Sequence, residues 1–227
     1  MIDIILNIFV ALLTLGAFWY YFKSKEESGA EKQDVVTSIV SGTQETKSKA
    51  YIPKSLNQKE GLTFSYTCWL KIDNFSYKYG QQKVIFTKGA SDLSTMCPGV
   101  FLDGNTNTIL VKIDTFGGQE IIPINNIPAK KWIHFGLVVD QNSVDVYING
   151  IVHTHRSIVN LPRQNPDSVR VGLDGGFEGK ISNLQYYNYF ITPEQMKTLL
   201  GDSPIEKNAP DNSVANFDYR WWTRRSL

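Results

Sequence analysis

Three kinds of residue in this 227-residue chain could do chemistry: histidines, carboxylates and clustered aromatics. His153 and His155 stand two apart, so on a strand both side chains point to one side. That is half of a Zn²⁺ site, and the metal needs two further ligands. Solvated or hydrogen-bonded histidines are the favoured reading. If Asn149-Gly150 makes a strict two-residue turn, His153 faces Val146 and His155 faces Val144. His134, between Ile133 and Phe135, reads as a structural histidine on the second face of its strand. Glycoside hydrolysis with retention needs two carboxyl groups about 5 Å apart. The acidic residues expected within strands are Asp145 and Glu120, alone; Asp73, Asp103, Asp114, Asp140 and Asp174 fall where turns are expected, and Asp suits turns for backbone reasons. Trp69, Trp132, Tyr186, Tyr187 and Tyr189 could stack on a sugar, but at strand spacing they are expected in the core or between sheets. No nucleophile triad is identifiable, and Gly172 to Gly179 lacks the Lys-Ser/Thr of a phosphate loop. Asn74-Phe75-Ser76 is a glycosylation sequon, relevant only in a lumenal setting.

The elements that must position these residues read as strands. Lys131 to Thr154 holds three of them. Trp132 to Val139 is apolar and β-branched, and Val144 to Ile148 alternates apolar with polar. Asn149-Gly150 between Ile148 and Ile151 is a strong hairpin signal, because a type I′ turn needs positive φ at both central residues. In Gly61 to Ile72, Leu62, Phe64, Tyr66, Cys68, Leu70 and Ile72 share one apolar face, which predicts a central strand. Val35 to Val40, Ala50 to Pro53, Val84 to Gly89, Pro98 to Leu102, Thr108 to Ile113, Glu120 to Ile124, Val169 to Leu173 and Lys180 to Tyr187 continue the series. Short strands separated by Gly and Asn turns mean a sandwich or barrel. One helix is predicted after Thr192, with Pro193 at its first position, Gln195 completing a capping box, Met196, Leu199 and Leu200 as its apolar face, and Gly201 ending it. Cys68 and Cys97 are the only cysteines. One disulfide or two buried thiols are the alternatives, the thiols favoured.

The two ends differ from the middle. Residues 4–22, IILNIFVALLTLGAFWYYF, carry no charge over nineteen positions, about 28 Å as a helix, enough for a hydrocarbon core of roughly 30 Å. Ile4, Ile5, Leu6, Ile8, Phe9, Val10, Leu12, Leu13, Leu15 and Phe18 would face lipid, with Trp19 and Tyr20 at the interface. The Met1-Ile2-Asp3 start lacks a basic n-region and the zone at Phe18 to Phe22 is bulky, so an uncleaved anchor is expected over residues 1–23 rather than a signal peptide. Lys23 and Lys25 put the globular part on the cytosolic side. Residues 24–33 form a polar tether, 34–201 a single β domain and 202–227 a tail. The tail ends in Tyr219, Arg220, Trp221, Trp222, Arg224 and Arg225, types enriched at interface hot spots, and is the candidate partner contact; a membrane contact and a last strand docked on its own domain are the alternatives. A net charge of +1 gives no reason to expect nucleic acid.

Six stretches together resemble a known family: FSYTCWLKI (Phe64 to Ile72), VIFTKG (Val84 to Gly89), PGVFLDG (Pro98 to Gly104), IPAKKWIHFGLVVD (Ile127 to Asp140), VDVYINGIV (Val144 to Val152) and FEGKISNLQYYNYFITPEQM (Phe177 to Met196). The chain resembles the concanavalin A-like lectin/glucanase superfamily in its laminin-G-like form. The resemblance implies an all-β fold, an antiparallel two-sheet jelly-roll sandwich, here with one N-terminal transmembrane helix and one short C-terminal helix. Glucanases of that superfamily carry a Glu-x-Asp-x-x-Glu strand that this chain lacks, so an enzyme is not expected. Some laminin-G-like domains bind Ca²⁺ at the sandwich rim; Asp103, Asn105 and Asp174 would be the ligands here, with turn formation as the favoured role. No other cofactor is implied. With its N-terminal anchor, the chain is similar to membrane-anchored versions of this domain in large icosahedral DNA viruses. That implies a minor structural protein whose partners are the lipid bilayer and capsid or other structural proteins. A lectin-like protein binding a glycan is the alternative.

Overall fold

The computed structural model describes residues 12–18, 30–48, 52–58 and 61–204, the side chains of 56–58 excepted. Met1–Glu31 and Lys32–Leu227 are two separate compact units. Of the first, residues 12–18 form a helix, α1, with Leu12, Leu13, Leu15 and Phe18 exposed. Among the described residues no helix is long and apolar enough to cross a membrane. The other expected lipid-facing positions, Ile4, Ile5, Leu6, Ile8, Phe9, Val10, Trp19 and Tyr20, lie outside the described residues.

The second unit is a two-sheet antiparallel sandwich. Its strands are β1 Lys32–Val36, β2 Val40–Ser41, β3 Thr46–Lys47, β4 Leu56–Gln58, β5 Gly61–Asn74, β6 Lys83–Gly89, β7 Met96–Leu102, β8 Ile109–Thr115, β9 Gly118–Ile124, β10 Trp132–Asp140, β11 Ser143–Ile148, β12 Ile151–Ser157, β13 Val169–Val171 and β14 Glu178–Tyr187. One sheet has the order β1-β14-β5-β10-β11-β12, with β2 on β14 and β4 on β5; the other is β3-β13-β6-β7-β8-β9. The core between them is apolar: Phe64, Tyr66, Leu70, Phe86, Val100, Val111, Phe135, Leu137, Val146 and Tyr186 all belong to one buried cluster. The predicted stretch Val35 to Val40 divides into β1 and β2, and of Ala50 to Pro53 the described residues precede β4 instead of forming a strand.

The central hairpin is as expected at its turn and different beyond it. Asn149 has φ 52° and Gly150 φ 75°, the paired positive values of a type I′ turn, and Ile148 sits opposite Ile151. A register shift then falls between Val146 and Tyr147. His155 therefore lies opposite Asp145, not Val144, and Val146 faces Thr154 instead of His153. A bulge adds a residue to one strand, which simple counting from the turn cannot see.

The strand β5 is buried on both faces. Thr63, Ser65, Thr67 and Trp69, the side opposite the apolar face, are covered along with it. The cover is the segment after β14. Ser65 Oγ donates to the Tyr189 carbonyl at 2.9 Å and accepts the Ile191 N–H at 3.0 Å. Helix α2, Pro193–Thr198, packs here through Met196, beside Val138, Tyr147, Tyr187 and Ile191. Its capping box is complete: Thr192 Oγ1 accepts the Gln195 N–H at 3.3 Å, and Gln195 Oε1 accepts the Thr192 N–H at 2.9 Å. Gly201 does not end the helical run, which continues as a 3₁₀ segment, Leu199–Asp202. The outer face of the first sheet is thus occupied at its centre, whereas the outer face of the second carries a groove.

Candidate functional site

The groove on the second sheet is built from six elements. Strand alternation sends Ile109, Val111 and Ile113 of β8 to the core, so Leu110 and Lys112 stand on the outer face. Opposite them lies Phe101 of β7, and next to it Val84 of β6. Val84, Met96, Phe101 and Leu173 form a small apolar floor, flanked by Leu93 and Leu110. The loop after β5 contributes Lys78, Gln81 and Gln82, the 3₁₀ turn Leu173–Gly175 contributes Leu173 and Asp174, and β9 contributes Gln119. The groove encloses about 390 Å³.

Its polar groups are held by one another. Lys112 Nζ lies 4.5 Å from the centre of the Phe101 ring and donates to Gln82 Oε1 at 2.7 Å. Burial lowers the Lys112 pKa. Asp114 Oδ2 accepts the Met96 N–H at 2.7 Å and its Oδ1 accepts from Gln119 Nε2 at 2.9 Å. Lys78 Nζ donates to the Asp174 carbonyl. Lys83 is fully buried beneath, its Nζ donating to the Phe75 carbonyl at 3.0 Å; burial lowers its pKa, with Asp103 opposing. A shallow apolar floor with one aromatic ring, three amides and two part-exposed ammonium groups can bind an anionic or hydroxyl-rich partner.

Several acidic residues expected in turns stand in strands instead. Asp73, Asp114 and Asp140 lie in β5, β8 and β10, and Glu178 opens β14, because each of these strands runs further than its apolar stretch. Asp73 and Glu178 line one open depression of about 650 Å³ with Tyr77 and Lys180. Each carboxylate there has a partner. Glu178 Oε2 accepts from Asn74 Nδ2 at 2.9 Å, and Asp73 lies 3.8 Å from Lys71 Nζ.

The calcium candidates serve their turns. Asp103 Oδ2 accepts from the N–H groups of Asn105 (3.1 Å) and Thr106 (2.9 Å) and from the Thr106 hydroxyl (2.8 Å). Those bonds, that of the Thr106 hydroxyl foremost, hold its pKa below the usual carboxylate value. Asp174 has φ 55° and is exposed within the 3₁₀ turn. Among the described residues no three His, Cys, Asp or Glu side chains gather as a metal site. His153 and His155 are both exposed; Nδ1 of His153 is 2.9 Å from Thr154 Oγ1, and Nδ1 of His155 is 2.5 Å from Asp145 Oδ1. His134 is buried, edge-on to Trp69 with ring centres 5.2 Å apart, and its Nδ1 lacks a hydrogen-bond partner. Burial lowers its pKa from 6.5 to about 4.

The expected aromatic set divides between packing sites. Tyr186 is in the main core, 5.0 Å from Tyr66 between ring centres. Tyr187 and Tyr189 meet at 5.6 Å beside Met196, and Trp69 is buried. Cys68 and Cys97 are buried free thiols. The tail candidates Tyr219, Arg220, Trp221, Trp222, Arg224 and Arg225 lie outside the described residues. Of the groove residues only Asp174 is a candidate from sequence, and as a calcium ligand; Phe101 and Lys112 alternate off the core face of their strands, which is the signal that points to them.

The two-sheet antiparallel fold agrees with the family comparison. The chain belongs to the concanavalin A-like lectin/glucanases superfamily, whose model matches residues 44–197. No match is found among curated proteins. Solved structures similar to it include the binding domain of Paraclostridial Mosquitocidal Protein 1, with TM-score 0.56 and 13% identity over 76% of this chain and 47% of that one. The botulinum neurotoxin serotype D binding domain is similar with TM-score 0.56 and 12% identity, over 76% and 46%. The serotype G binding domain is similar with TM-score 0.52 and 16% identity, over 76% and 46%. The chain spans just under half the length of these structures, and the likeness is one of fold.

Proposed function

We propose that this chain is a non-enzymatic recognition module, held at a membrane by its N-terminal apolar segment and binding a partner through the open face of its second sheet. The observation that carries the reading is the groove over Val84, Met96, Phe101 and Leu173, where Lys112 and Lys78 border an apolar floor. The corresponding face of the first sheet is covered by α2. Two ammonium groups beside an apolar floor suit a protein surface that offers carboxylates next to aliphatic side chains. Burial that lowers the Lys112 pKa also strengthens its pairing with a carboxylate, since screening by water is weaker there. In its finer form the reading is a minor structural protein linking an internal viral membrane to a capsid shell, with the Trp/Arg tail as a second contact.

Crosslinking mass spectrometry on the source membranes or particles tests it. Crosslinks from Lys112 and Lys78 to an acidic stretch of one structural protein are expected. Crosslinks confined to other faces of the domain would reject the groove as the contact.

A glycan partner is the second reading. It is favoured by Phe101 standing with Gln82 and Gln119, an aromatic ring flanked by amides, although Lys112 lies over that ring in the unbound domain. Specific micromolar binding on a glycan array, lost in Phe101→Ala, would put this reading first. The toxin structures of the same fold are described as binding or receptor-binding domains, which supports recognition without identifying the ligand.

A further inference from the structure

One end of the sandwich carries apolar side chains left exposed among the described residues. Phe116, in the turn between β8 and β9, is 74% exposed; Val159 and Leu161, in the loop after β12, are 93% and 46% exposed. They are one feature, not scattered residues. The Phe116 N–H donates to the Leu161 carbonyl at 3.1 Å, Thr115 bridges Pro162, and the Asn160 side chain lies against Gly117. The same loop is tied to the first sheet, since the Ile158 N–H donates to the Asn142 carbonyl at 2.8 Å and Leu161 packs near Gly61. The tip is thus pinned to turns of both sheets.

Strand β1 starts at this end of the first sheet. Lys32, the first residue of β1, sits opposite Tyr187, which sits opposite Ser65, which sits opposite Val138. Two rungs further out Thr63 pairs with Asp140, followed by the Gln141-Asn142 turn that the loop touches. Strand β1 is antiparallel to β14, and β14 to β5, so β1 runs away from the tip as β5 does. The first residue of β1, Lys32, is therefore its tip-side end. Nine residues separate the uncharged stretch ending at Phe22 from Lys32 and span at most roughly 30 Å. Exposed Lys32, Arg156 and Arg163 lie at the same end; the acidic groups near them include Asp34, which pairs with Lys32 at 3.5 Å, Asp140, and Asp114, whose carbonyl accepts the Arg163 N–H.

We propose that the loop tip formed by Phe116, Val159 and Leu161 inserts into the interfacial layer of the bilayer that holds the N-terminal segment. This inference rests on the membrane-anchored reading given above. Apolar side chains at such a surface sit roughly 5–10 Å into the headgroup and acyl boundary, with basic groups at the lipid phosphates. A docked tip would orient the domain with respect to the membrane.

The test uses the full chain reconstituted into phosphatidylcholine/phosphatidylserine vesicles. An environment-sensitive fluorophore is placed at Val159→Cys or, as a control, at Tyr79→Cys. Tyr79 is 70% exposed and follows the far end of β5, and the native Cys68 and Cys97 are buried from the label. With vesicles floated to remove free protein, the label at 159 should shift to the blue and be quenched about two-fold by lipids brominated in the acyl chain, as burial at that depth implies. The label at 79 should stay unquenched, and adding Phe116→Ser and Leu161→Ser should relieve quenching at 159. A chain that floats while the label at 159 behaves as that at 79 overturns the tip inference and leaves the anchor reading intact. A chain that does not float overturns both.

Discussion

At residue scale, His134 is the group whose environment has the clearest solution consequence. It is buried beside Trp69, and burial lowers its pKa to about 4 from 6.5, with Asp202 opposing in part. The unfolded chain takes up this proton near pH 6.5 and the folded chain only near pH 4, so the unfolded state binds more protons between those values. The stability that depends on neutral His134 is complete above about pH 6.5 and falls as pH drops towards about 4. The slope is at most about 1.4 kcal/mol per pH unit. Urea denaturation followed across that window should show the wild-type midpoint falling, and His134→Leu should flatten the decline. An unchanged slope in the variant would assign it to other groups. The thiols give a second expectation. Burial raises both pKa values, that of Cys97 to about 12. A thiol reagent should label neither in the native domain, and labelling should follow the rate of global unfolding. From sequence, the structural role of His134 was legible because it sits between two apolar residues. The partner of His155 was not, because a bulge moved it one position along to Asp145.

At the scale of elements, α2 is too short to be stable alone and depends on docking. Met196 is fully buried against the first sheet, and Gly136 beneath it leaves the room: a Cβ at 136 would lie 2.6 Å from Met196 Cε. Met196→Ala should cost about 2–5 kcal/mol, and Thr192→Ala, which removes half of the capping box, about 1 kcal/mol. Both can be read as changes in thermal unfolding. In the hairpin, Gly150→Ala meets a φ of 75° and a contact of 2.9 Å with Leu200 Cδ1, and should destabilise by roughly 1–2 kcal/mol. The capping box and the type I′ turn were legible because each depends on residues three or fewer positions apart. The burial of both faces of β5 was not. Ser65 lies off the apolar face of β5, and its partners, Tyr189 and Ile191, are more than a hundred residues away in the chain.

At the scale of the whole molecule, the two proposed contacts lie on faces that no single stretch encodes. The sandwich was legible from alternation and turn spacing. The groove is assembled from the loop after β5, three neighbouring strands, β9 and the 3₁₀ turn before β14, and the loop tip joins Phe116 to Val159 and Leu161. Such surfaces exist only after the register is set. The division makes a prediction about independence. Lys112→Glu should weaken partner binding without changing vesicle flotation, while the tip substitutions should change the depth of the domain and leave a soluble partner's affinity for the groove unaltered.

The central claim is that recognition occurs at the groove of an anchored domain. Lysine footprinting tests it most directly, comparing acetylation of the full chain in its source assembly with the same chain in lipid vesicles alone. The account predicts selective protection of Lys112 and Lys78 in the assembly, with Lys180 and Lys197, which lie outside the groove, reacting equally in both. Equal reactivity of Lys112 and Lys78 in the two settings would contradict it.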